Sequence, residues 1–269
     1  MPIVQSEVIT LRRRRTRDAD ALVTMLSKTM GIITASTKSV MKTTSRYAGI
    51  SQPFNRLNAV FYAKFEDQDI WTLTQASLIE SFDSIQNDLS RIAYAYNLCE
   101  WVETLSKDTQ TSSRIWQIVI NFLNRWNNQA PTKEDLLFFQ SHLLVDAGLK
   151  PGIDHCLKCG KKRSHKWLYI VSEGGLSCTS CSSNGFDISG GAIEILRRMI
   201  HNQEPLSNIR ISPQQIKEID KLLLEHASYY AGLQSRSALF HNKLETIQDS
   251  NSLIETDINT KSTVKGMGI

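Results

Sequence analysis

No apolar run in this 269-residue chain approaches the roughly 18 residues that a membrane-spanning helix needs. The first ten residues also lack a secretory apolar core, being broken by Gln5, Ser6 and Glu7 and followed by four arginines. Familiar catalytic signatures are missing too. There is no Gly-x-x-x-x-Gly-Lys-Ser/Thr phosphate loop, no Gly-x-Ser-x-Gly elbow and no His-Glu-x-x-His. The His-x-Glu and Pro-Cys-x-x-Cys of zinc deaminases are likewise absent. His142 and Asp146 lie one helical turn apart, but a lone pair at that spacing reads as structural. These absences set the expectation of a cytoplasmic protein that is not an enzyme. Hydrophobic content of 41% excludes a disordered chain, and the length suggests two or three modules.

Only five cysteines are present, and four form two Cys-x-x-Cys pairs, Cys156–Cys159 and Cys178–Cys181, with eighteen residues between the pairs. Two thiolates three positions apart can face one ion from a tight turn, and two such knuckles complete a sulfur tetrahedron around Zn²⁺. Gly160 stands where the first knuckle turns back. Lys158, Lys161, Lys162 and Arg163 offset the negative charge of a four-thiolate site. Two disulfides are the alternative, disfavoured in a reducing compartment. His155 or His165 could replace a sulfur, although four cysteines suffice. A closed four-sulfur site leaves no open position for water or substrate, so its role is structural. A small module of this kind is expected to unfold without its metal. Cys99, in a helical stretch, reads as a core residue.

Charge is distributed unevenly. Residues 1–50 carry nine basic residues (Arg12, Arg13, Arg14, Arg15, Arg17, Lys28, Lys38, Lys42 and Arg46) against Glu7, Asp18 and Asp20. That is a net +6, which leaves −2 for the other 219 residues. Such asymmetry is the footprint of polyanion binding, with a solvated basic loop or a targeting run as the alternative. The same segment reads as strands: 3–11 running into the arginines, 21–26 and 32–36 turned at Met30-Gly31, then 57–65 and 70–78 joined at 66–69. Leu57, Ala59, Phe61, Ala63 and Phe65 alternate with Asn58, Val60, Tyr62 and Lys64, the period of a half-buried strand. Five strands in about eighty residues suit a small barrel of the oligonucleotide-binding (OB) type. Aromatics in such a barrel are more often core than stacking platforms, so base stacking is the lesser alternative for Phe61, Tyr62 and Trp71.

The period then changes to that of helices. Ile85, Leu89, Ile92, Ala93, Tyr96, Cys99, Val102 and Leu105 predict a helix over 84–106. Ile115, Val119, Phe122, Leu123 and Trp126 predict another over 114–126, with Trp116 and Trp126 in the core. A third is capped by Thr132, with Asp135 at the box position, an apolar face of Leu136, Phe139, Leu143 and Leu144, and Gly148 as its stop. Trp167 to Val171 reads as a strand inside the cysteine module, with a turn at Gly174-Gly175. Helices resume at 193–201 and from Ser212-Pro213-Gln214-Gln215, a capped start that runs to Gly232. The expected architecture is α+β. An OB-fold barrel (1–80) precedes a helical domain (81–150 and 189–243) interrupted by the zinc module (151–188), with a polar, disordered tail at 244–269.

Glu7…Leu11-Arg12-Arg13…Asp18-Ala19-Asp20-Ala21-Leu22-Val23-Thr24 resembles the opening of the bacterial RecO recombination mediators. Met30-Gly31-Ile32-Ile33-Thr34-Ala35, Thr44-Ser45-Arg46 and Leu73-Thr74-Gln75-Ala76…Glu80-Ser81-Phe82 extend the match in order. The four cysteines resemble that family's zinc site, and Gly232-Leu233-Gln234-Ser235-Arg236-Ser237 its C-terminal segment. Ser36-Thr37-Lys38-Ser39-Val40-Met41 departs from the more basic, glycine-containing turn usual there. Some family members lack the cysteines, so metal is not the source of the shared activity. The resemblance implies a non-catalytic, nucleoid-associated protein that binds single- and double-stranded DNA and anneals complementary strands. It would act with RecR, and with RecF, to load RecA onto strands coated by the single-stranded-DNA-binding protein (SSB), whose acidic, apolar-ended tail docks on the mediator. Phosphate contacts are expected from Arg12, Arg13, Arg14, Arg15, Arg17 and Arg46, with Lys38 and Lys42 as weaker members. Arg114, Trp116 and Arg125 are candidates for the tail receptor. A zinc-ribbon nucleic-acid-binding protein of transcription or translation, without annealing activity, is the alternative.

Overall fold

The computed structural model describes residues 3–16, 20–38, 49, 51–63, 69–106, 113–202, 205 and 210–234. Five strands, β1 (Ile3–Arg15), β2 (Ala21–Ser27), β3 (Gly31–Thr37), β4 (Arg56–Tyr62) and β5 (Ile70–Glu80), form a closed barrel in the order β1-β2-β3-β5-β4. Closure depends on β1, which is long enough to serve two neighbours. Its first half pairs with β4 from Ile3 to Ile9, its second with β2 from Val8 to Arg15. A register shift between Thr10 and Arg12 bends the strand from one partner to the other. A short parallel pairing of β3 with β5 completes the ring. β1 thus continues through the arginines, four residues beyond the expected strand end. The predicted alternation holds in β4, where Leu57, Ala59 and Phe61 are buried, but the strand ends at Tyr62. Phe65 lies outside the described residues.

The barrel interior is filled by Val8, Val23, Met25, Ile33, Ala35, Leu57, Ala59, Phe61 and Leu73. Ile9, Leu11, Leu26 and Phe54 belong instead to a second, larger core that runs on into the helices. The expected helix over 84–106 is two elements, α1 (Asp83–Gln86) and α2 (Leu89–Leu105). The break is local chemistry: the Asp88 carboxylate accepts from the Arg91 backbone N–H and starts a new helix. The expected apolar stripe on α2 needs correction. Leu89 and Tyr96 are exposed, whereas Tyr94, Asn97, Leu98 and Trp101 are buried, because α2 is enclosed on most of its circumference.

Two further helices, α3 (Ser113–Asn128) and α4 (Lys133–Asp146), bury the residues the periodicity predicted, Trp116 and Trp126 included. Arg91 closes the end of α3 by donating to the Trp126 and Asn127 carbonyls at 2.7 and 2.8 Å. A small sheet follows, β6 (Lys166–Ile170), β7 (Gly175–Cys178) and β8 (Phe186–Ser189), ordered β7-β6-β8. It leads into α5 (Gly190–His201), which starts three residues earlier than expected because Ser189 caps it. The last described helix, α6 (Pro213–Ala231), has the predicted capping box of Ser212 and Gln215 and ends at Gly232 in the left-handed conformation. The segment read as a tail lies outside the described residues.

Two buried histidines tie these elements together. His226 on α6 donates from Nε2 to the Leu149 carbonyl (2.9 Å) and accepts at Nδ1 from the Tyr169 hydroxyl of β6 (2.6 Å). His142 on α4 donates from Nε2 to the Met199 carbonyl of α5 (3.0 Å) and accepts from Arg114 Nη2 at Nδ1 (3.3 Å). Arg114 also pairs with Asp146 at 3.3 Å, so the His142–Asp146 pair is part of a structural network. Burial is the main reason that both imidazoles are held below their ordinary value of 6.5. Unfolding lets them take up protons once the pH drops below that value. Their stabilisation is therefore complete above pH 6.5 and declines as pH falls towards the depressed folded values. The thermal midpoint should fall between about pH 7.5 and pH 5.5, and a His142→Gln/His226→Gln variant should show a shallower slope by calorimetry.

Candidate functional site

The cysteine cluster is built by two turns brought together by the small sheet. Cys178 ends β7, opposite Trp167 of β6, and the loop before β6 carries Cys156 and Cys159. In the first knuckle the Gly160 N–H donates to the Cys156 carbonyl (2.9 Å), with Gly160 at φ 73°, a conformation that residues with a Cβ rarely adopt. In the second, the Cys181 N–H donates to the Cys178 carbonyl, also at 2.9 Å. The Leu157 N–H to Leu176 carbonyl bond (2.8 Å) and the Cys178 N–H to Cys156 Sγ contact (3.3 Å) fasten one knuckle to the other.

All four sulfurs lie within 4.8 Å of one another. A tetrahedron with metal–sulfur bonds of about 2.3 Å has edges of about 3.8 Å, and Cys159 Sγ and Cys178 Sγ are 3.7 Å apart. The residues fit a tetrahedral thiolate-bound ion, and none of the cysteines is in a disulfide. Neither His155 nor His165 belongs to the cluster; both are exposed. Burial pushes the Cys156 thiol up, but backbone N–H groups around it, led by those of Cys159 and Cys178, more than offset this and bring it down to about 5. Cys178 is also lowered, chiefly by its contact with Cys181, which is itself pushed up to about 12. One sulfur of each knuckle, Cys156 and Cys178, is thus drawn towards thiolate, while Cys181 is held towards its protonated form.

The cluster does not sit on a core of its own. Ile153, Cys156, Trp167, Tyr169, Leu176, Cys178 and Ile188 belong to the same apolar core as α2 to α6. Arg197 of α5 reinforces the link by donating to the Ile153 carbonyl from Nε (2.8 Å) and Nη2 (2.6 Å). This clamp, and the Tyr169–His226 strut, were not legible as pairings forty or more residues apart. The expected metal dependence therefore concerns a segment that shares its core with the helices. A Cys159→Ser/Cys181→Ser variant should lose the thiolate absorption of the Co²⁺-loaded chain. Its melting should remain one transition, lowered by more than about 2 °C, the shift that about 1 kcal/mol gives at this size.

The arginine tetrad is divided by strand geometry. Cross-strand register sets Arg13 and Arg15 opposite the buried Val23 and Ala21, and Arg12 and Arg14 opposite Thr24 and Leu22. Arg12 Nη2 pairs with Glu103 Oε2 of α2 at 2.9 Å, joining barrel to helices. Arg13 donates to Ser51 Oγ (3.2 Å) and Gln52 Oε1 (3.3 Å). Arg14 and Arg15 are exposed, as is Lys38 in the turn after β3. Arg17, Lys42 and Arg46 lie outside the described residues. Among the candidate aromatics, Phe61 is fully buried in the barrel and cannot meet a base. Tyr62 and Trp71 are half-buried, Trp71 against the barrel core.

On the helical side, a cleft of about 350 Å³ lies between α3 and α4, floored by Ile118, Phe122 and Phe138. Arg125 stands on its rim, its Nε 3.0 Å from the buried Asp135 carboxylate. Of the three receptor candidates Arg125, itself paired with Asp135, lines this cleft, whereas Trp116 and Arg114 do not.

Residues 1–82 match the family described as Recombination protein O N terminal, and residues 86–238 match Recombination protein O C terminal. Curated relatives named DNA repair protein RecO align along most of their length. That of Bacillus pumilus is 26% identical over 253 residues, 91% of this chain and 96% of the relative. That of Alkaliphilus metalliredigens is 26% identical over 231 residues, 83% and 92%. That of Heliobacterium modesticaldum reaches 29% over 236 residues, 84% of each. With both matches together spanning the barrel and the helical domain that carries the four-cysteine cluster, this chain belongs to the RecO family of DNA repair proteins.

Proposed function

We propose that this chain is a non-catalytic recombination mediator that binds single- and double-stranded DNA and anneals complementary strands. With RecR, and with RecF, it helps to load RecA onto SSB-coated single strands. The observation that carries this reading is the strand β1, whose arginines extend one wall of an OB-like barrel. Cations held on a rigid strand release counterions from a phosphate backbone whatever its sequence. Two strands drawn to one positive surface repel each other less, while their bases remain available to pair. No bond is made or broken in that process.

In this reading Arg12, Arg13, Arg14 and Arg15 make phosphate contacts, with Lys38 as a weaker member. Arg12 and Arg13 divide their charge between backbone and the internal partners described above. Arg17, Lys42 and Arg46 complete the set. The four cysteines hold a structural Zn²⁺, which supplies a closed cross-link between the knuckles, and Lys158, Lys161, Lys162 and Arg163 balance its thiolate charge. The α3–α4 cleft suits the end of an acidic peptide. An apolar terminal side chain fits over Phe122 and Phe138, and Arg125 meets the carboxylate.

Replacing Arg12 to Arg15 by Ala should weaken binding to all DNA sequences alike. The slope of log affinity against log salt should flatten by about 0.7 for each single-strand phosphate that is no longer neutralised. A fluorescence-anisotropy titration with an unchanged slope would remove the assignment. For the cleft, annealing of SSB-coated strands is the measurement. Ile118→Asp should abolish it while bare strands still anneal, as should removal of the acidic tail from SSB. A chain that binds DNA but never speeds the pairing of bare strands would favour the transcription or translation alternative.

A further inference from the structure

A second cleft, of about 290 Å³, opens where the chain entering β4 crosses the start of the helical domain. Gln52, Pro53 and Phe54 form one wall; Gln86, Asn87, Ile92 and Tyr96 form the other. We propose that this cleft receives a single unstacked nucleobase from the strand whose phosphates β1 binds.

The aromatic surface comes from Tyr96, one turn after Ile92 on α2. Tyr96 sits on a helix that is otherwise mostly enclosed, yet it remains 39% exposed. Phe54 meets it edge to face, with ring centroids 5.0 Å apart at 69°. A base stacked on Tyr96 would cover apolar surface that the fold leaves open. Gln52 Nε2 offers donors and Gln86 Oε1 and Asn87 Oδ1 offer acceptors, the opposite ends of these carboxamides being engaged within the protein, so the cleft suits heterocycle edges without selecting one base. At the lower limit of small-molecule clefts, about 300 Å³, the space fits one ring system and not a peptide segment.

The wall is rigid. Phe54 has φ 69°, the only positive φ at a non-glycine residue among those described. Its N–H donates to the Thr10 carbonyl of β1, and Gln86 Nε2 donates to the Pro53 carbonyl (3.0 Å) and to Asn55 Oδ1 (2.8 Å). The cleft is therefore shaped before any ligand arrives, which limits the ordering cost of binding. Arg13 lies at its edge, bonded to Gln52 and close enough for its charge to act on the Tyr96 hydroxyl. A phosphate at β1 and a base on Tyr96 can thus belong to one nucleotide or to adjacent ones. Duplex bases are already stacked and paired, so the cleft gives single strands an advantage that phosphate contacts alone cannot provide.

This inference rests on the reading of β1 as a backbone-binding strand, and the experiment separates the two. The full chain would be titrated with a single-stranded oligonucleotide and with an abasic strand of the same length, over a series of salt concentrations. The wild type should prefer the strand with bases. Tyr96→Ala should weaken that complex by about five- to 150-fold, leave abasic binding and the salt slope unchanged, and Tyr96→Phe should restore the preference. Equal wild-type affinity for both strands, with a full salt slope, would overturn the base site and spare the phosphate strand. Failure to bind either strand would remove both. Because equal or unequal binding is read on the wild type, the test survives a misfolded Tyr96→Ala. A 5-iodouracil strand photo-crosslinked to the wild-type chain should, in addition, mark the 86–96 peptide; an adduct confined to β4 or β5 would overturn the assignment.

Discussion

Everything beyond the barrel is organised by one uninterrupted apolar core. It begins with Ile9 and Leu11 of β1, passes through the tryptophans of α2 and α3, and ends at Leu176 and Ile188 of the small sheet. Burial of apolar surface is non-directional, so it cannot by itself decide which elements meet. Direction comes from a few polar ties across the core: Arg12 to Glu103, Arg91 to the end of α3, His142 to Met199, His226 between Tyr169 and Leu149, and Arg197 to Ile153. Each uses a long or two-ended side chain to satisfy backbone or carboxylate groups that burial would otherwise strand.

The barrel obeys a different logic. Its small interior is closed by register, and the register depends on β1 turning from one neighbour to another within thirteen residues. Alternation along the strand divides the arginines, Arg12 and Arg14 standing on one face and Arg13 and Arg15 on the other, so four consecutive cations do not form one patch. Arg12 and Arg13 in addition tie the barrel to its surroundings. A run of like charge in a sequence therefore overstates the charge available to a ligand when it lies on a strand.

Local signals in the sequence were good guides to local structure. The Thr132 and Ser212 caps, the Gly232 stop, the alternation of 57–61 and both cysteine knuckles follow from chemistry within a few residues. What escaped was set by distance. The stripe on α2 misassigned Leu89 and Tyr96 because a helix enclosed on most sides has no single buried face to read. Phe61 was a stacking candidate by type alone, whereas its alternation with Leu57 and Ala59 already set it on the inward face where the barrel holds it. The α3–α4 and β4–α2 clefts combine residues from elements far apart in sequence, which no spacing rule can join. The cysteine cluster was readable because its spacing carries the geometry of the ion; the arginine site was readable only as composition.

The polar links that hold the small sheet to the helices, an arginine on a carbonyl and a tyrosine on a histidine, use none of the four cysteines, although Cys156 and Cys178 share the packing between them. An ion held by the four sulfurs would thus be a second support for a loop that the scaffold already ties to the helices, and its loss would loosen the knuckles before it loosened the sheet.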